Sequence, residues 1–158
     1  MVLAAVRAAY LAGLCLLPVA ADGSKRPDTR NGWRTFIERR PTIDEMRKFD
    51  FAHRAGYGVV GGAVSGDVDP WDFDDAGIFE AFVTAAEGCG LGQLVARIRA
   101  GYEDKTPSGG RRWLIRYSPG VKFADTVLAR RPGREGEKRK VKTLIEISAE
   151  CRHDPSKR

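Results

Sequence analysis

The five residues Trp71, Asp72, Phe73, Asp74 and Asp75 limit the folds open to this chain more than any other stretch. In an extended strand successive side chains point to opposite faces. Trp71 and Phe73 then share one face, and Asp72 and Asp74 share the other. Such a strand belongs in a sheet with one apolar, covered face and one face that carries carboxylates. It lies within residues 67–75, DVDPWDFDD, which hold five aspartates and no basic side chain. Carboxylates this close repel one another unless water screens them or a cation holds them.

The rest of the chain has the opposite charge. The formal net charge is +6 and the pI is near 9.5, a balance that suggests a polyanionic partner such as nucleic acid. The two signs are segregated. Residues 66–90 contain no lysine or arginine, whereas residues 130–142 contain seven basic side chains and two glutamates. Two readings stand side by side: an acidic site next to a basic surface, as metal-dependent chemistry on nucleotides needs, or two solvated segments. With 158 residues the chain is most simply one domain with a real core. Cys15, Cys89 and Cys151 are odd in number and far apart, which speaks against a disulfide framework and for a reducing compartment. No CxxC or Cys/His spacing suggests zinc.

Local patterns alternate helix with strand. Residues 40–56, RPTIDEMRKFDFAHRAG, predict a helix with Thr42 as N-cap, Glu45 completing a capping box and Gly56 as the stop. YGVVGGAVSG predicts a strand running into a glycine-rich turn, and WDF a short strand. DDAGIFEAFVTAAE and, after the break at GCG, LGQLVARIRAGYED carry apolar residues at helical spacing. RRWLIRY and VKTLIEIS predict strands, with RRPGREGEKRKVK as a charged loop before the second. The opening 22 residues have two readings: a secretory signal, or a helix over residues 2–12 ended by Gly13 and followed by a buried strand LCLLPV. Their uncharged run is too short to span a bilayer as a helix.

A calcium loop starting at Asp67 fails, because Trp71, Asp72 and Ile78 occupy positions that need an oxygen ligand, a glycine and a glutamate. Two carboxylates projecting from one strand instead suit Mg²⁺ or Mn²⁺, the ions of two-metal phosphoryl transfer.

Several segments, in order, resemble the primase–polymerase domain of the archaeo-eukaryotic primase superfamily, the bifunctional DNA primase/polymerase module of phages, plasmids and mobile elements. They are LAGLCLLPVAADGSKRPDTRNGW, RRPTIDEMRKF, GYGVVGGAVSG, WDFDD, TPSGGRRWLIRY and VKTLIEI. The resemblance implies an α+β fold over residues 1–150, a catalytic core with an RNA-recognition-like (RRM-like) antiparallel sheet flanked by helices, and a short polar tail over 151–158. It takes the apolar opening as the first helix and a core strand, and implies a cytoplasmic protein with no membrane partner. It assigns Asp72, Asp74 and Glu146 as catalytic ligands of Mg²⁺ or Mn²⁺. Ser108, Gly109, Gly110, Arg112 and Lys25 would contact the nucleoside triphosphate, and Arg130, Arg131, Lys138, Arg139 and Lys140 nucleic acid. The implied reaction is nucleotidyl transfer on a single-stranded DNA template, with a replicative helicase in the same chain or in trans. The alternative is a degenerate domain of the same family that binds nucleotide or nucleic acid without chemistry.

Two departures bear on that choice. Arg112 stands where the family's second motif usually has histidine; arginine binds phosphate bidentately and stays charged, but it cannot relay a proton as imidazole does. After the third motif the chain reads EISAECRHDPSKR, without the family's glycine-rich continuation. Trp33 and Trp113 could stack on bases or fill a core.

Overall fold

The computed structural model describes residues 2–24, 26–29, 32–54, 56–106, 109–118, 121 and 126–148. Contacts gather the chain into two compact units, one reaching Asp67 and one beginning at Val68.

In the first unit, helix α1 (Val2–Leu11) is followed by strand β1 (Cys15–Pro18). Gly13 ends α1 in the left-handed region, φ 93°. Its amide donates to the Tyr10 carbonyl and that of Leu14 to Ala9, the pair of bonds that closes a helix on a glycine. β1 pairs antiparallel with β2 (Tyr57–Val60). Both of its faces are covered. Cys15 and Leu17 pack with Phe36 and Val60, while Leu16 packs with Val6 and Phe51. That two-sided burial is why LCLL is an unbroken apolar run rather than an alternating one. Cys15 is fully buried, and burial pushes its thiol up to about 11.

Helix α2 (Ile43–Lys48) starts as the sequence predicts. The Glu45 amide donates to Thr42 Oγ1 and the Thr42 amide to Glu45 Oε2. It ends well before Gly56. Asp50 takes a left-handed conformation, φ 51°, and a 3-10 turn (Phe51–His53) follows that sends Phe51 inward.

The second unit is α+β. Strand β3 (Val68–Phe73) leads to helices α3 (Ala76–Gly88) and α4 (Gly92–Arg99), then to β4 (Tyr102–Lys105), β5 (Arg111–Arg116), β6 (Thr126–Pro132) and β7 (Val141–Ile147). The five strands form one antiparallel sheet in the order β4-β5-β3-β7-β6, with β3 central. Odd-numbered side chains of the central strands face the helices. Phe73, Trp113 and Ile145 make one cluster with Phe79 and Val83 of α3 and Val95 of α4. Phe73, Phe79 and Trp113 meet edge to face with centroids 5.1–5.2 Å apart. Trp113 is a core residue, its indole N–H held by Glu103 Oε2 at 2.9 Å, and is not open to bases.

Three segments differ from the sequence expectation. β3 starts three residues before Trp71, and takes in Pro70. Residues 102–104, expected to continue a helix, fall in edge strand β4, and residues 130–132, expected in a loop, complete β6. Both segments sit in edge strands at charged residues, Glu103 and Asp104 in β4 and Arg130 and Arg131 in β6, where the local sequence carries little apolar signal. Among the described residues no helix is long and apolar enough to cross a membrane.

Candidate functional site

Even-numbered residues of the same strands point away from α3 and α4. In an antiparallel ladder, directly opposed residues share a face with Cβ atoms about 4.5–5.5 Å apart. Asp72 opposes Arg112 on one side and Glu146 on the other, and Arg112 opposes Asp104 in turn. One row thus crosses four strands: Asp104, Arg112, Asp72, Glu146. Arg112 Nε donates to Asp72 Oδ1 at 2.6 Å, with both side chains partly exposed. Burial works against the Arg112 charge. The Asp72 hydrogen bond and the charges of Asp72 and Asp104 outweigh it, so its pKa lies above the ordinary arginine value.

Asp74 extends the ladder one residue beyond β3, its amide donating to the Leu144 carbonyl at 2.9 Å. Its Oδ2 lies 2.5 Å from Lys142 Nζ. Lys142 shares strand phase with Glu146, four residues on. Glu146 itself is exposed.

The five clustered aspartates therefore have different settings. Asp67 sits in a left-handed turn, φ 58°. Asp69 is buried on the helix side, near Tyr117. There the Tyr117 hydroxyl accepts from the Trp71 indole at 2.5 Å, and burial first, then the Asp69 charge, raises the tyrosine pKa. Asp72 and Asp74 each hold a cation of the chain, and Asp75 caps α3 by accepting from the Ile78 amide at 2.8 Å. Of the five, only Asp72 and Asp74 lie together on the face away from the helices.

As donors, Asp72, Asp74 and Glu146 are hard oxygens suited to Mg²⁺ or Mn²⁺. Asp72 and Glu146 are opposed in one ladder step, and Asp74 is about 7 Å further along the strand. Among the described residues, no three His, Cys, Asp or Glu side chains come together as a ready metal site.

Between β4 and β5, the Gly109 amide donates inward to the Thr106 carbonyl at 2.9 Å, and the Thr106 amide to Gly110 at 3.0 Å. A Cβ on Gly110 would lie 2.2 Å from the Phe73 carbonyl oxygen, so this glycine lets the turn press against the end of β3. Ser108 and Lys25 lie outside the described residues.

The basic hairpin of β6 and β7 is braced from within. Arg131 makes a bidentate pair with Glu137, at 2.7 and 2.6 Å, and the Glu137 carboxylate also accepts from the Arg134 amide. That pairing, above all the Arg131 hydrogen bond, lowers Glu137 to about 2. Arg130, Lys138, Arg139 and Lys140 are exposed.

Sequence reasoning missed Asp104 and Lys142. Lys142 was legible in principle, since it has the phase of Glu146 on one strand. Asp104 was hidden by the charged, weakly patterned edge strand around it. No protein-family model matches the chain, and no curated protein is similar to it.

Proposed function

We propose that the chain is a nucleotidyltransferase core of the primase–polymerase kind, acting in the cytoplasm with nucleoside triphosphates on a single-stranded DNA template. The observation that carries this reading is the cross-strand row in which Asp72 stands between Arg112 and Glu146. An antiparallel sheet with helices on one face and this charged row on the other supports an RNA-recognition-like primase core. Asp72 and Glu146, with Asp74, would hold Mg²⁺ or Mn²⁺. When bound, the ion supplies charge neutralisation at the phosphates and a more acidic attacking hydroxyl. In the reaction a primer 3′-hydroxyl gives its proton to water, its oxygen bonds to the α-phosphorus, the bond from α-phosphorus to the bridging oxygen breaks, and pyrophosphate leaves. Arg112 would grip the triphosphate through its planar, permanently charged fork. The exposed cations of the β6–β7 hairpin would follow the template phosphates. A replicative helicase fits as the partner that supplies single-stranded template.

A second reading is a non-catalytic binder of nucleotide or nucleic acid. It is favoured by the fact that Asp72 and Asp74 are each paired with a cation of the chain itself. Primer extension and de novo priming on single-stranded DNA, with Mn²⁺ or Mg²⁺, separate the two. Extension that Asp72→Asn abolishes, with folding intact, supports the enzyme. DNA binding with no extension under either ion supports the binder.

A further inference from the structure

Arg112 lies between two carboxylates but is bonded to Asp72. Asp104 opposes it in the β4–β5 ladder as Asp72 does in the β3–β5 ladder, so all three side chains share a face. Asp104 Oδ1 is shielded from solvent and has no hydrogen-bond partner among the described residues. Its Oδ2 accepts from the Tyr102 hydroxyl at 3.3 Å, a long bond. A shielded carboxylate oxygen without a donor is costly, and a guanidinium with five donors stands one strand away.

We propose that Asp104 is a positioning residue, a second seat for the Arg112 guanidinium when a divalent cation takes Asp72. This rests on the reading of Asp72 and Glu146 as a divalent-ion site. The cation and the guanidinium compete for one carboxylate, since the guanidinium already holds Asp72 Oδ1 and two positive charges on Asp72 repel each other. Neighbouring strands are about 4.8 Å apart, and a rotation of the long Arg112 side chain covers one such step to either side. With Asp104 present, the exchange is charge for charge: the ion takes Asp72, and the guanidinium takes the unmatched oxygen of Asp104. Arg112 then stays on the face, beside the ion, where an incoming phosphate would meet both. Without Asp104, the displaced guanidinium would have to move into water, and Asp72 would release it less readily.

The test is titration with Mn²⁺ alone, without nucleotide, followed by calorimetry or by the electron paramagnetic resonance signal of free Mn²⁺. Relative to the parent, Arg112→Met should bind Mn²⁺ about two- to fivefold more tightly, the worth of a partly exposed ion pair. Asp104→Asn should bind it more weakly by a similar factor. The double variant Arg112→Met/Asp104→Asn should bind like Arg112→Met, because no guanidinium remains to be reseated. If Asp104→Asn weakens binding equally with and without Arg112, Asp104 is only a negative charge and the proposal is overturned. Equal Mn²⁺ affinity in the parent and Arg112→Met keeps the ion site and overturns the exchange. If neither binds Mn²⁺, the divalent-ion reading falls and the exchange with it. Asp104→Ser replaces Asp104→Asn should the amide disturb β4.

Discussion

Arg111 and Arg112 are neighbours in sequence and serve opposite sides of one strand. Arg112 bonds Asp72 on the charged face, whereas the Arg111 guanidinium lies 6.0 Å over the Phe79 ring on the helix side. Alanine substitution should separate them. Arg112→Ala should weaken nucleoside triphosphate affinity in the presence of Mn²⁺ while barely changing stability. Arg111→Ala should cost about 0.5–1 kcal/mol of stability, the size of a cation–π contact, and leave nucleotide affinity unchanged. Equal effects of the two on nucleotide affinity would misplace the triphosphate site.

Gly110→Ala should destabilise the second unit. Its new Cβ would lie 2.2 Å from the Phe73 carbonyl oxygen and 3.0 Å from the Asp74 carbonyl group, both backbone rather than a yielding side chain. Overpacking of this kind costs about 1–3 kcal/mol. Urea unfolding of the two proteins measures it, and a loss within error would show that the turn relaxes freely.

Acid should weaken two ion pairs in the same window. Hydrogen bonds from Arg39 and from Arg131 lower Glu45 and Glu137 from an ordinary 4.5 to about 2. A carboxylate with a depressed folded-state pKa contributes stability that is fully present above its unfolded value and lost as pH falls through the folded one. Stability should therefore decline between about pH 4.5 and 2. Glu137→Gln should show a smaller decline than the parent in thermal melts across that range; parallel curves would show that the Arg131 pair is absent in solution.

Binding to single-stranded DNA should fall steeply with salt. Arg139 and Lys140 are exposed in the connection between β6 and β7, just before β7 begins. Each phosphate contact contributes about 0.7 to the slope of log affinity against log salt on a single strand. Arg139→Ala/Lys140→Ala should flatten that slope by about 1.4. An unchanged slope would make the hairpin a solvated surface.

The division of each strand into two faces follows from residues adjacent in the chain. Alternation across Trp71, Asp72 and Phe73 separates core from charge whatever the strand's neighbours are, because the pleat has a period of two. Local stops and starts, such as the Gly13 end of α1 and the Thr42–Glu45 capping box, follow in the same way, since those depend on residues only a few positions apart. Which residues meet depends on the assembled sheet. Asp72 is 40 residues from Arg112, and its pairing with Arg112 and Glu146 depends on β3 lying between β5 and β7 in one register. A slip of one residue would send Arg112 to the helix side and bring Arg111 to the carboxylates. Edge strands β4 and β6 exist for the same reason. The charged residues of β4 and of the second half of β6 carry little apolar signal, and the hydrogen bonds offered by β5 and β7 hold them. Asp104 thereby comes beside Arg112, because a strand's periodicity sets the direction of its side chains but packing of the whole sheet sets their partners.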